Sequence, residues 1–253
     1  MIELKNISGG YGKNTVITDV SAVFNNGEIT SVVGANGCGK STLLMMCAGL
    51  LPLTSGSVLI DGEDISKLSR NVIAKRISYL AQSKSMGNIS VRSLVSHGRF
   101  PYLGYPRRYA AADTEKINEA MELAQVTDIS DKPVCELSGG QKQRVRIAMI
   151  LAQDTENVLL DEPLTYLDIR HQYELMELIV KLKNMGKAIV TVMHDLNFAL
   201  RCSDKIAVME NGEITALDAP KSIVQNDALP SALGVKAIYS PDEKQYFFEP
   251  NKL

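Results

Sequence analysis

Residues 34–42 carry the spacing with the clearest chemical meaning. They read Gly-Ala-Asn-Gly-Cys-Gly-Lys-Ser-Thr, a Gly-x4-Gly-Lys-Ser motif between an apolar β-branched run and a run typical of a helix. Glycines let successive backbone N–H groups face one anion, and the following helix adds the positive end of its dipole. The motif predicts a phosphate cradle in which Lys40 reaches the β- and γ-phosphates of a nucleotide and Ser41 binds magnesium. The candidate nucleotide-binding residues here are Gly34, Asn36, Gly37, Cys38, Gly39, Lys40, Ser41 and Thr42.

Two carboxylates follow a second apolar run. Residues 157–163 read Asn-Val-Leu-Leu-Asp-Glu-Pro, which is typical of a strand buried on both faces that ends in a polar site. Alternation along a strand would direct Asp161 and Glu162 to opposite sides. One carboxylate could then bind magnesium while the other faces the γ-phosphate and polarises the attacking water.

Three single residues gain meaning only beside the cradle. Gln82 follows a predicted strand over residues 76–81 and could meet the magnesium ion or the attacking water, because functional groups collect at the carboxyl ends of such strands. His194 follows the apolar run 187–193 and could sense the γ-phosphate. Tyr11 could stack on a purine, although a tyrosine in a glycine-rich loop is more often a surface residue. His97 and His171 are interpreted as ordinary polar residues.

A second anion-seeking element is predicted at residues 137–141, which read Leu-Ser-Gly-Gly-Gln before a helix-like run. Ser138 suits the N-cap of that helix, and Gly139 and Gly140 leave its start open to an anion. A Ser-Gly-Gly sequence alone is usually only a turn.

The elements that carry these residues can be read from periodicity. Residues 2–7 alternate, and residues 20–24 and 29–33 with Asn-Asn-Gly between them predict a hairpin in an antiparallel β layer. From residue 83 to about 152 helical patterns replace strands, including a helix over residues 113–124 capped by Asp113.

Further elements follow. An amphipathic helix is predicted over residues 168–185, an Asn-Gly hairpin over residues 205–216, and a small hairpin near the C-terminus.

Composition narrows the function classes. The chain is 45% hydrophobic and 22% charged, an ordinary globular balance, and its formal charge of −2 gives no basic field for nucleic acid. Four dispersed cysteines indicate neither a zinc site nor a disulfide framework. No stretch approaches the roughly 18 apolar residues of a membrane span, so we expect any membrane role to come through a partner.

Taken together, the motifs resemble those of ABC ATPases. The cradle, Gln82, Leu-Ser-Gly-Gly-Gln at residues 137–141, the run ending in Asp161 and Glu162, Asp168 and His194 occur in the order of that family. The resemblance implies an α/β fold, a P-loop NTPase (RecA-like) core with an antiparallel β subdomain and a helical insertion. It divides one domain, residues 1–253, into a core (about 1–82 and 153–220), a helical subdomain (about 83–152) and a C-terminal extension (221–253).

The resemblance also implies ATP and Mg²⁺ as ligands and a second copy of the chain as partner. Tyr11 would stack on adenine, Glu162 would act as base with help from Lys40, Gln82 and His194, and the metal ligands would be Ser41, Gln82 and Asp161. In a head-to-tail dimer, Ser138, Gly139, Gly140 and Gln141 of one subunit would face the γ-phosphate held by Gly39, Lys40, Ser41 and Thr42 of the other. Asp168 would link the two sites. We call residues 137–141 the signature segment.

The substrate class is indicated by two stretches. Residues 98–104 (Gly-Arg-Phe-Pro-Tyr-Leu-Gly) and 167–172 (Leu-Asp-Ile-Arg-His-Gln) resemble ATPases of importers for ferric siderophores, heme and cobalamin. A transmembrane permease would dock near residues 83–110, a substrate-binding protein would take part indirectly, and the chain would lie at the cytoplasmic face of the membrane. The alternatives are an ABC ATPase of cofactor assembly or nucleic-acid maintenance without a permease, and a small-molecule kinase, which would not need the signature segment.

Overall fold

The structure, a computed structural model, describes residues 1–81, 87–165, 167–226, 228–240 and 245–250. The strands are β1 Ile2–Tyr11, β2 Asn14–Phe24, β3 Ile29–Gly34, β4 Leu53–Ile60, β5 Glu63–Asp64, β6 Ile77–Leu80, β7 Asn157–Asp161, β8 Ala188–Val192, β9 Lys205–Glu210, β10 Glu213–Asp218, β11 Val235–Ser240 and β12 Gln245–Pro250. The α-helices are α1 Lys40–Cys47, α2 Arg70–Arg76, α3 Val91–Ser96, α4 Ala111–Leu123, α5 Gly139–Gln153, α6 Ile169–Asn184, α7 Leu196–Cys202, α8 Pro220–Gln225 and α9 Ala228–Leu233.

A six-stranded sheet in the order β10-β9-β3-β8-β7-β6 carries the predicted site. Strands β9, β3, β8, β7 and β6 are parallel, and β10 pairs antiparallel with β9 at one edge. Every residue of β3, β7 and β8 is buried, because the central strands of a parallel sheet are covered on both faces. The interpretation of the run 157–161 as such a strand is confirmed.

A four-stranded antiparallel sheet, β2-β1-β4-β5, forms the second β layer. Helix α1 packs between the two sheets, and its Leu43, Leu44 and Met46 are fully buried with residues of both. The antiparallel layer is confirmed, but the predicted hairpin over residues 20–33 is wrong. Strand β2 pairs with β1, whereas β3 pairs with β8 and β9 in the other sheet. The Asn-Asn-Gly turn redirects the chain, and the amide of Gly27 bonds the carbonyls of Gly186 and Lys187.

The helices between residues 91 and 153 bury a cluster of their own. Val91 of α3, Ile117 and Met121 of α4, and Val145 of α5 form part of its centre. The helix predicted from Asp113 begins two residues earlier, at Ala111, so Asp113 is not its N-cap. Its carboxylate instead accepts the N–H of Ala110 from the third helical position. The domain boundaries given above remain a prediction.

The C-terminal third contains two hairpins. Asn211 and Gly212, with φ of 49° and 85°, form the turn between β9 and β10, which confirms the Asn-Gly prediction. Strands β11 and β12 pair antiparallel, so the predicted terminal hairpin is also confirmed.

All four cysteines are free. In the part of the chain that the structure describes, no helix has both the length and the apolar character needed to cross a membrane.

Candidate functional site

The phosphate cradle lies where β3 ends and α1 begins. Gly34 approaches β9 so closely that a Cβ there would lie 2.3 Å from the carbonyl oxygen of Met209. Gly39, the N-cap of α1, has a left-handed φ of 110° and could not carry a side chain without meeting Ile17 of β2 at 2.8 Å. Between them Asn36 and Gly37 are exposed. The loop therefore keeps its backbone open to solvent on one side while β2 and β9 fix the other.

Lys40 lies inside this loop and is almost fully buried. Its Nζ donates to the carbonyl oxygens of Gly34 at 2.9 Å and Ala35 at 2.8 Å, and lies 3.9 Å from Sγ of Cys38. The carbonyl of Cys38 accepts the amide of Gly212, so the β9–β10 turn supports the cradle from behind. The ammonium group is thus held at the cradle, where phosphate oxygens can replace the two carbonyl oxygens as its hydrogen-bond acceptors.

Ser41 and Asp161 meet across the end of the sheet. The Ser41 hydroxyl donates to Oδ1 of Asp161 at 3.0 Å, and the Tyr79 hydroxyl donates to Oδ2 at 3.2 Å. Burial raises the pKa of the Asp161 carboxyl, with the hydrogen bonds from Ser41 and Tyr79 opposing it. A hydroxyl and a carboxylate side by side are the hard oxygen ligands that Mg²⁺ prefers, so the chain's own residues fit this ion.

Tyr79 was not identified from the sequence. Burial and, to a lesser extent, the charge of Asp161 raise the pKa of the Tyr79 hydroxyl. The hydroxyl therefore stays protonated and donates to Asp161. The only sequence signal was its position in β6, which pairs in parallel with β7 and so ends at the same edge of the sheet. Within the described residues, no three or more His, Cys, Asp or Glu side chains lie close enough together to hold a metal ion.

Glu162 and His194 form the second pair at this edge. Nε2 of His194 lies 2.6 Å from Oε1 of Glu162, and Thr165 Oγ1 donates to Oε2 at 3.3 Å. Strand β7 ends at Asp161, and Glu162 has a left-handed φ of 50°. The two carboxylates therefore have different partners because the chain turns after Asp161. The alternation of side chains along a strand, expected from the sequence, does not apply because Glu162 lies beyond the end of β7.

Helix α5 holds the ends of two core strands. Gln143 donates to the carbonyl of Pro163, one residue past Glu162, at 2.7 Å. Arg146 donates to Oε1 of Gln143 at 3.2 Å and also to the carbonyl of Ala81, just after β6. Gln82, the predicted magnesium or water ligand, lies outside the described residues.

The signature segment forms the start of α5 as predicted. Ser138 is the N-cap: its hydroxyl accepts the N–H of Gln141 at 3.3 Å, and the Gln141 side chain accepts the N–H of Ser138 at 3.1 Å. Ser138 and Gly139 are exposed. Among the described residues no hydrogen bond or ion pair joins residues 137–141 to residues 34–42, so within one chain the segment presents an open helix start.

Asp168 caps α6 beside the signature segment. Its Oδ1 accepts the N–H of His171 at 3.0 Å, and its Oδ2 lies 2.7 Å from Nδ1 of the same residue. The backbone and side-chain hydrogen bonds from His171 hold the pKa of Asp168 below its usual range. The Asp168 side chain is 65% exposed, so it remains available to another molecule. His171, taken as an ordinary polar residue in the sequence, is its partner.

Tyr11 ends β1 and its side chain is half exposed. Tyr11 pairs with Asn14 in the β1–β2 hairpin, and β2 contacts Gly39 through Ile17. The ring is therefore carried on the hairpin that borders the cradle, which agrees with a stacking role without testing it.

Residues 98–108, within the stretch 83–110 predicted to dock a permease, divide into a buried and an exposed part. Arg99 is 8% exposed. Its Nε donates to Asp113 at 2.9 Å and its Nη1 donates to the carbonyl of Ala152 at 2.9 Å. Its guanidinium stacks 3.8 Å from the centre of the Tyr102 ring. These contacts hold the helices together and leave no free guanidinium. Phe100 and Tyr105, in contrast, are exposed.

Comparison with known proteins gives a consistent result. The profile described as "ABC transporter" matches residues 17–165, more than half of the chain. A petrobactin import ATP-binding protein of Bacillus subtilis (strain 168) is 41% identical over 90% of this chain and 91% of its own. A ferric enterobactin transport ATP-binding protein of Escherichia coli (strain K12) is 40% identical, over 92% of this chain and 87% of its own length. A dimeric ATP-binding cassette in a post-hydrolysis state, bound to ADP and Pi, superposes with a TM-score of 0.75, 27% identity and coverage of 87% of this chain and 99% of that one.

Proposed function

Because the chain belongs to the ABC transporter family of ATP-binding proteins, we propose that it is the ATP-hydrolysing subunit of an importer that takes up an iron–siderophore complex. The observation that carries the ATPase assignment is the meeting of two pairs at one sheet edge, Ser41 with Asp161 and Glu162 with His194, beside the phosphate cradle. The siderophore class rests on the relatives, whose names specify petrobactin and ferric enterobactin.

In this function the cradle binds the triphosphate. Backbone N–H groups of residues 34–42 and the dipole of α1 favour the anion, and Lys40 exchanges its carbonyl partners for phosphate oxygens. Ser41 and Asp161 would hold Mg²⁺, with Gln82 as a further ligand. The ion, when bound, neutralises charge on the phosphates.

Glu162 is the proposed general base. Nε2 of His194 lies 2.6 Å from Oε1 and fixes the carboxylate, so that Oε2 can accept a proton from water attacking the γ-phosphate. Thr165 already donates to Oε2, which shows that this oxygen can accept a hydroxyl donor. Glu162 is mostly buried, so a proton transfer here would occur away from bulk solvent.

A second copy of the chain would complete the site. Ser138, Gly139, Gly140 and Gln141 offer an open helix start that has no anionic partner within the described chain, and the related cassette above was solved as a dimer with ADP and Pi. Two anion-seeking elements of one chain are both satisfied when two copies pair head to tail around ATP.

The membrane partner would be a permease at the cytoplasmic face. We place its docking surface on the exposed part of residues 87–110, where Phe100 and Tyr105 are exposed and the Arg107 guanidinium lies 5.2 Å from the centre of the Phe100 ring. Exposed aromatic and arginine side chains are typical of interface centres. The names of the relatives, which specify import and transport, disfavour a permease-free ATPase or a kinase.

Uptake of radioactive iron tests this function. In cells that lack the gene, we expect uptake of ⁵⁵Fe-labelled siderophore to fall to background, wild-type protein to restore it, and the Glu162→Gln variant to fail. Normal uptake of ferric siderophores in the deletion strain would argue against the substrate class. Restored uptake by Glu162→Gln would argue against Glu162 as base.

A further inference from the structure

We propose that His171 is a positioning residue that ties the Asp168 turn to the signature segment, so that one subunit presents both to its partner as a unit. Both ends of His171 bind the same carboxylate: its N–H bonds Oδ1 of Asp168 at 3.0 Å and its Nδ1 lies 2.7 Å from Oδ2. The carboxylate is therefore fixed in orientation at the N-cap of α6, although it is largely exposed.

The same ring also lies next to Gly140 of the signature segment. A Cβ built on Gly140 would lie 3.5 Å from both Cγ and Nδ1 of His171, an ordinary van der Waals distance. The ring therefore fills the space beside the backbone of Gly140, and it is two-thirds buried. A single side chain thus bonds Asp168 and lies beside the segment whose N–H groups would face a phosphate.

The bodies of α5 and α6 are joined by separate contacts. Arg144 of α5 bonds Glu174 of α6 at 2.6 Å, and Gln143 of α5 bonds the carbonyl of Pro163, in the loop that leads from β7 to α6, at 2.7 Å. Because these contacts do not involve His171, removing its ring should leave the two helices packed. The loss would be confined to the spacing and orientation of Asp168 relative to Gly140.

This inference rests on the proposed function, in which Asp168 and residues 138–141 both act on a second copy. A displacement of about 1 Å in groups that complete a site can lower the rate by about a hundredfold, and a partly retained contact should cost less. Binding of ATP to the cradle of the same chain involves neither residue and should not change.

The test compares three variants of the full chain: His171→Ala, His171→Asn and, as a control on an exposed position of the same helix, Glu177→Ala. ATP affinity is measured by titration with a fluorescent ATP analogue, kcat and KM by phosphate release, and ATP-dependent dimerisation by sedimentation in a Glu162→Gln background. For His171→Ala we expect unchanged affinity for the analogue, a kcat lower by about tenfold and dimerisation weakened by a similar factor. Asparagine can place an N–H near the position of Nδ1, so His171→Asn should recover to within about threefold of wild type.

Wild-type kcat and dimerisation in His171→Ala would overturn the inference, as would equal impairment of the Ala and Asn variants, since the hydrogen bond to Asp168 would then be irrelevant. A loss of the same size in Glu177→Ala would also overturn it. Failure of the proposed function would look different, because wild-type protein would then show neither phosphate release nor ATP-dependent dimerisation.

Discussion

Replacing Arg99 with alanine should destabilise the chain while leaving the docking surface chemically intact. The guanidinium is buried, and its removal leaves the buried Asp113 carboxylate without its cationic partner, although the N–H of Ala110 still donates to it. Breaking a buried pair by deleting one partner costs about 3–5 kcal/mol, and loss of the stacking on Tyr102 adds about 1 kcal/mol or less. The hydrogen bond to Ala152 is lost as well. We therefore expect the free energy of unfolding to fall by at least about 3–5 kcal/mol.

The measurement is urea unfolding followed by circular dichroism, since the chain has no tryptophan. Arg107→Ala is the matched control, because Arg107 is an exposed arginine in the same stretch, and its change should stay within about 0.5 kcal/mol. In co-purification with the permease we expect the opposite: Arg107→Ala should stay fully folded but associate more weakly with the permease than wild type does. A loss of less than about 1 kcal/mol for Arg99→Ala would refute a buried structural role.

Three further predictions concern the Asp113 carboxylate and two residues of the candidate site. Burial would raise the pKa of Asp113, but the hydrogen bonds from the Ala110 amide and Arg99 outweigh it and hold the pKa below its usual range. The charged carboxylate therefore stabilises the folded chain fully above about pH 3.9, the pKa of an unfolded aspartate. This stabilisation is lost as the pH falls through the lower pKa of the folded state. Asp113→Asn should therefore cost about 3 kcal/mol at pH 7 in urea unfolding, with a gap to wild type that narrows below about pH 4; a gap independent of pH would contradict this. Glu162→Gln should lower kcat for phosphate release by about 10²- to 10⁴-fold with little change in ATP affinity, and wild-type turnover would exclude it as base. Tyr79→Phe removes a donor to the buried Asp161 and should cost about 1–2 kcal/mol in the same unfolding assay, whereas an unchanged midpoint would show that the hydroxyl contributes nothing.

The glycine-rich loop and the start of α5 could be predicted from the sequence because the residues that define each lie close together in the chain. The cradle needs glycines at fixed intervals, as the 2.3 Å approach of Met209 to a Cβ on Gly34 illustrates. The N-cap at Ser138 likewise depends on residues three positions apart, and both were located correctly. Local spacing also identified the central strands, whose continuous apolar runs are buried on both faces.

The errors arose where distant segments decide the outcome. An Asn-Asn-Gly turn indicates that the chain changes direction but not which strand follows as a partner. Strand β3 pairs with β8 and β9, which lie more than 150 residues away in the sequence. The burial of Arg99 depends on Asp113 and Ala152, which no periodicity connects to it. The partners of Tyr79 and His171 depend in the same way on how strands and helices pack.

The composite site is tested most directly by mixing two inactive variants. Lys40→Ala disables the cradle and Ser138→Arg blocks the signature segment, so each variant alone should show little phosphate release. In a head-to-tail dimer of one chain of each kind, one site combines an intact cradle with an intact signature segment. Random pairing of equal amounts should then restore about a quarter of wild-type activity, because half of the dimers have one of their two sites intact. Mixtures that stay as inactive as the separate variants would contradict a site shared between two chains.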